Sequence, residues 1–121
     1  MTTPSPAPVL HGGARRLPVR WLNVEAAPMT VSRYLVLPGE AVTLHAHTGK
    51  AEYWLIVAGA GVARVGGVDL AVGPGDVVAT PPPVPHALHN TGTEPLVFVN
   101  FVQPTGDGPI STTELIRSPG P

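Results

Sequence analysis

Short β-prone runs follow one another along this chain, with glycine and proline between them. Residues 19–25 (VRWLNVE) and 30–37 (TVSRYLVL) open the series, and Pro38 and Gly39 stop the second run. Proline fixes φ and glycine tolerates positive φ, so that pair predicts a turn. Residues 41–47 (AVTLHAH) alternate into two histidines, and a short connector at 48–51 leads to a further run at 52–58, closed by Gly59. Counting by twos from Glu52 places Trp54, Ile56 and Ala58 on one face, with Tyr53, Leu55 and Val57 on the other. Both sets are largely apolar, which predicts a strand covered on both sides. Gly66 and Gly67 lie between valine-rich runs and predict a tight hairpin. Residues 73–76 (GPGD) supply the next turn. Prolines at 81–83 and 85 form a stiff connector into residues 86–90 (HALHN), and residues 96–103 (LVFVNFVQ) read as a final strong strand. A short helix is expected near 112–116, and no longer helical pattern occurs. The reading is an all-β chain of roughly eight or more strands.

Composition narrows the function classes. A chain of 121 residues carries one core rather than two. We expect a flexible Pro-rich arm at 1–17 and a single β-barrel domain at 18–121. Net charge is −1 and only 12% of residues are charged, about half the usual share. With no basic surplus or basic run, neither nucleic acid nor an anionic membrane is an expected partner. Low charge beside 43% hydrophobic residues suggests apolar area to hide, part of it between subunits. No cysteine is present, so disulfides, thiolate ligands and cysteine nucleophiles are excluded. The N-terminus lacks the layout of a signal peptide and no apolar run reaches spanning length, so a cytoplasmic location is expected. The glycines at 73 and 75 are not followed by Lys-Ser/Thr or by a helical pattern, so a phosphate loop is excluded.

The candidate chemistry lies in residues 39–59 and just beyond. His45 and His47 stand two apart in a strand and therefore share a face. Glu52 begins the following strand and can join them, and His86 arrives from beyond the Gly66–Gly67 hairpin. Three imidazoles and a carboxylate without thiolate suit a divalent transition metal, namely Fe, Mn, Ni, Zn or Cu. A metal that prefers six ligands and takes four from the protein keeps two positions for water, dioxygen or a chelating substrate.

The spacing is specific. Gly39, five residues, His45, one, His47, four, Glu52, six, Gly59 forms a first block. After fifteen residues, Gly75, five, Pro81, one, Pro83, two, His86, three, Asn90 forms a second. These blocks resemble the two motifs of the cupin superfamily, small single-domain microbial cupins above all. The second departs from the family at Pro83, where glycine is usual, and proline lacks glycine's freedom of φ. The resemblance implies a double-stranded β-helix, or jelly-roll barrel. It also implies one divalent metal per chain on His45, His47, Glu52 and His86, and it leans towards a homodimer.

Around that centre the candidates are less sharply defined. Arg33 and Tyr34 alternate along one strand, so one of them points inward. An inward Arg33 would favour an anionic substrate, whereas an inward Tyr34 could act as acid or hydrogen-bond donor. Trp54 is the candidate aromatic wall, with Ile56 and Leu88 as further substrate contacts. His89 falls on the face opposite His86, the residue matching Asn90 looks structural in the family, and Arg64 is expected to be exposed near a hairpin turn. The expected function is a metal-dependent enzyme acting on a small organic molecule. It is either a dioxygenase-type oxygenase or a Lewis-acid isomerase, decarboxylase or lyase. The alternatives are a module that binds a metal or small ligand without turnover and, more weakly, a dimer whose metal ties the barrel together.

Overall fold

A computed structural model describes residues 12–115. The start of the expected arm, through His11, and Ile116 at the end of the expected helix lie outside the described residues. Ten strands follow in order: β1 Arg15–Leu17, β2 Thr30–Val36, β3 Ala41–Thr48, β4 Lys50–Ala58, β5 Gly61–Val65, β6 Val68–Val72, β7 Val77–Thr80, β8 His86–His89, β9 Leu96–Pro104 and β10 Ser111–Glu114. No helix occurs among the described residues, and none is long and apolar enough to cross a membrane.

The strands form two five-stranded antiparallel sheets, ordered β1-β2-β9-β4-β7 and β10-β3-β8-β5-β6. Their inner faces meet as a jelly-roll barrel. Trp54, Phe98, Ile56, Leu88, Leu96 and Val36 are fully buried between them. On β4 the burial alternates as the sequence predicts, with Glu52, Trp54 and Ile56 inside. The opposite face is not covered, because Val57 is exposed and Tyr53 and Leu55 are only half-buried. At the Gly66–Gly67 hairpin both glycines take positive φ, 58° and 82°, the backbone of a tight primed turn.

Register places the inner side chains in rows. Arg16 lies opposite Tyr34, Tyr34 opposite Phe98, and Phe98 opposite Ile56. The next row holds Asn100 and Trp54, and the one after it Val102 and Glu52. Across the barrel His45 lies opposite both Glu114 and His86. Between β3 and β8 the register shifts, because three steps from Val42 to His45 match two from Leu88 to His86. The extra residue is a β-bulge. Such a bulge re-aims the side chains beyond it.

Three local expectations are corrected. Arg15–Leu17, assigned to the solvated arm, pairs with β2, and Ala14 is fully buried. The β3 end of this segment is tied down by the Ala41 amide, which donates to the Gly12 carbonyl at 2.8 Å. Residues 19–25 form no strand, and Val19, Trp21, Leu22 and Val24 are exposed. Apolar residues fall on both parities there, and Asn23 takes φ 67°, which breaks an extended run. Finally, Ser111–Glu114 is a strand, not the start of a helix. The β-branched Thr112 and Thr113 suit a pleated surface, and they pair with the otherwise open edge of β3.

Candidate metal centre

His45 and His47 enter from β3, Glu52 from β4 and His86 from β8. One donor atom from each lies within 4.8 Å of all the others. Glu52 Oε1 stands 3.3 Å from His47 Nε2 and 3.8 Å from His86 Nε2. The three imidazoles are mutually close, with ring centroids 4.3–5.0 Å apart. Donors that share one ion at about 2.1 Å stand ~3–4 Å from each other, and the Glu52–His47 and Glu52–His86 separations fall in that range.

The far sides of the rings fix which nitrogen faces the centre. His45 Nδ1 donates to the Thr43 carbonyl at 2.8 Å, and His86 Nδ1 to the Val84 carbonyl at 3.0 Å. A carbonyl only accepts, so both rings carry their proton on Nδ1 and present a bare Nε2. His47 Nδ1 meets Thr112 Oγ1 at 2.8 Å. Nε2 of His86 is buried with no hydrogen-bond partner among the described residues. A lone pair aimed at a carboxylate repels it unless a cation lies between them. That is the donor chemistry of a metal site.

Protonation points the same way. Burial by itself pushes the Glu52 carboxyl up. The His47 hydrogen bond and charge, the Lys50 ammonium and the Asn100 side chain outweigh it and hold the group well below the usual carboxylate range. Lys50 Nζ stands 3.1 Å from Oε2, the oxygen turned away from the histidines. Burial lowers His86 to about 4, with neighbouring His45 adding to the effect. His45 is lowered too, chiefly by burial, against the Thr43 hydrogen bond. At neutral pH the set therefore offers neutral imidazoles from these two residues and one ionised carboxylate.

The centre opens into a cavity of about 400 Å³ lined by Tyr34, Trp54, Phe98, Asn100, Thr112 and Glu114 among others. The alternation on β2 is resolved by burial. Tyr34 is buried and lines the cavity, whereas Arg33 faces solvent and makes no part of it. Trp54 is on the wall, 5.2 Å from the His86 ring. Ile56 and Leu88 are buried core residues and are not among the lining of the cavity. His89 is exposed, and Arg64 pairs with Asp69 on the surface. Asn90 is structural: its amide donates to the carbonyls of Val36 and Glu94, both at 2.8 Å, and its oxygen accepts from the Gly92 amide. Pro83 sits in the turn where the Val84 amide donates to the Pro81 carbonyl, and His86 still reaches the centre.

Several lining residues escaped the sequence reading. Arg16, Thr112 and Glu114 come from segments read as arm and helix. Asn100 left a usable signal, being the one polar inward position between Phe98 and Val102 in an otherwise apolar alternation.

The signature of the Cupin domain matches residues 32–102, more than half of the chain. The chain belongs to the cupin family. This cupin is 37% identical over 71 residues to the oxalate-binding protein of Thermotoga maritima, a match covering 59% of each chain. It therefore spans under two thirds of that relative's length. A solved structure described as a predicted oxalate decarboxylase from Thermotoga maritima aligns with a TM-score of 0.60 and 34% identity, over 61% of this cupin and 64% of that chain. A cupin 2 conserved barrel domain protein from Salinispora arenicola covers 86% of this chain and 92% of its own, with a TM-score of 0.65 and 22% identity, a likeness of fold.

Proposed function

We propose that this cupin is a metal-dependent enzyme acting on a small organic acid whose oxygens chelate one divalent ion held by His45, His47, Glu52 and His86. The observation that carries the reading is the cluster of three imidazoles and one carboxylate, with one donor atom from each within 4.8 Å of the others, beside an open cavity. A divalent ion bound there supplies Lewis acidity for decarboxylase, isomerase or lyase chemistry, or dioxygen chemistry if it is iron or copper.

The protein's own residues do the rest. Lys50 and Asn100 hold Glu52 ionised, and the carbonyls of Thr43 and Val84 lock two ring orientations. Trp54 and Phe98 close one wall against water, and the Tyr34 hydroxyl stands in the cavity as a proton donor to a bound anion. The oxalate-binding and decarboxylase-like relatives support a small carboxylate as the class of ligand. The former's name also favours a second reading, retention of such a ligand without turnover.

The test begins with elemental analysis of purified protein, followed by dioxygen uptake and carbon dioxide release over a panel of small acids, diketones and catechols. Metal in the wild type, lost in Glu52→Ala and His86→Ala, is the expected result. If both variants keep wild-type metal content, the four-ligand assignment fails. Tight ligand retention with no product selects the non-catalytic reading. We also expect a homodimer, since Val57, Val68, Leu70 and Val77 leave apolar area exposed on the outer surface. A monomer by light scattering would remove that expectation.

A further inference from the structure

The wall of the cavity farthest from Glu52 in the register carries a cation that the metal centre does not use. Arg16 projects from β1 opposite Tyr34, and its Nη2 donates to the Tyr34 hydroxyl at 3.1 Å. Its guanidinium carbon lies 5.6 Å from the centre of the Tyr34 ring. Arginine seeks a planar anion, yet no carboxylate is paired with Arg16 among the described residues. The other cations nearby are committed, Arg15 to Glu40 at 3.0 Å and Lys50 to Glu52 at 3.1 Å.

Tyr34 accepts from Arg16 through its oxygen, so its own O–H remains available to donate. The remaining guanidinium N–H groups and this hydroxyl form a pair of donors at the cavity wall, the pattern that binds a carboxylate or phosphate.

From that pair an aromatic ladder leads to the centre. Tyr34 stacks on Phe98 at 5.1 Å, Phe98 meets Trp54 at 5.3 Å, and Trp54 meets the His86 ring edge-on at 5.2 Å. In the sheet register the Arg16–Tyr34–Phe98 row and the Glu52–Val102 row are separated by the Asn100–Trp54 row. Successive rows on one face of a sheet stand ~7 Å apart. A six-heavy-atom dianion chelated at the metal end is too short to bridge two rows, and it would leave most of a 400 Å³ cavity unfilled. Asn100 Oδ1, buried in the middle row with no partner, adds an acceptor for a ligand hydroxyl.

We infer that Arg16 and Tyr34 form a distal anion subsite, and that the ligand is an elongated acid with chelating oxygens at one end, a flat apolar body and an anionic group at the other. The inference rests on the metal reading above for its chelating end alone. Arg16 lies outside the residues 32–102 that match the family signature, and Tyr34 lies inside them.

The test uses zinc-loaded protein, so that catechols are not oxidised, and isothermal titration with 3,4-dihydroxybenzoate, catechol and oxalate. The wild type should bind the carboxylated catechol roughly ten- to a hundredfold tighter than catechol, the usual range for a charged hydrogen bond. Arg16→Gln should erase that preference while leaving the affinities for catechol and oxalate, and the zinc content, unchanged. Arg16→Lys should restore part of it. A preference that is absent in the wild type, or that survives Arg16→Gln, overturns the subsite. An equal loss of oxalate affinity in Arg16→Gln overturns the elongated ligand, because Arg16 would then reach the chelating end. If wild type and variant both fail to take up zinc, the metal reading fails instead. The subsite is then decided on metal-free protein by 4-hydroxybenzoate against phenol, where the same preference and the same loss are expected.

Discussion

Thr112 Oγ1 lies 2.8 Å from His47 Nδ1, although the two residues are 65 positions apart in the chain. Of the three histidines, His47 alone has a side chain rather than a backbone carbonyl behind it. Outer partners of this kind fix ring orientation, and their loss typically weakens a metal site ten- to a hundredfold. Thr112→Val should therefore lower metal affinity by about that factor in competition with a chelator, and Thr112→Ser should restore it. Because Thr112 is exposed on a terminal strand, unfolding curves of both variants should stay close to wild type.

Acid should destabilise the metal-free protein in a defined window. His86 sits at about 4 in the fold against an ordinary 6.5. Between those values the unfolded chain binds more protons than the folded one, so stability falls as pH falls. A fall from 6.5 to about 4 corresponds to about 3 kcal/mol. Glu52 works in the same sense but only below the ordinary carboxylate range, since its carboxyl is held down. Urea unfolding at pH 7 and pH 4.5 should show most of that loss, and His86→Phe should flatten it.

Leu88 belongs to the core, with no exposed surface. Leu88→Ala should cost about 2–5 kcal/mol in denaturant unfolding, the usual range for a buried leucine. Ligand affinity of the folded fraction should not change. A selective loss of ligand binding at wild-type stability would return Leu88 to the cavity wall.

Asn90 ties the end of β2 to the loop between β8 and β9, through the Val36 and Glu94 carbonyls and the Gly92 amide. Asn90→Ala strands buried backbone groups, each worth about 1–3 kcal/mol. The melting temperature should drop, while metal content at 20 °C remains that of the wild type.

Much of this architecture was legible because it is local. Parity alone put Glu52, Trp54 and Ile56 on one face, and the His45, His47, Glu52 and His86 spacing named the centre before any contact was known. What escaped depends on pairing at a distance. Arg15–Leu17 is a strand only because β2 offers it a free edge, and Thr112 reaches His47 only because β10 closes on β3. Residues 19–25 misled in the other direction: apolar, β-branched content signals a strand only when one face finds cover. Arg33 and Tyr34 could not be separated by alternation, since either phase gives a polar residue inside. The barrel chose the phase that stacks Tyr34 on Phe98.

Among the described residues β10 pairs on one side only, with β3, and all four of its residues are exposed. Edge strands of this kind open locally at far lower free energy than the core. Each transient peeling would take Thr112 away from His47 and free that ring to rotate. The off-rate of a bound metal would then be governed by fraying of the edge rather than by global unfolding. Hydrogen exchange at the Thr112 and Thr113 amides should keep pace with chelator-driven metal loss, and a cross-link pinning β10 to β3 should slow both together.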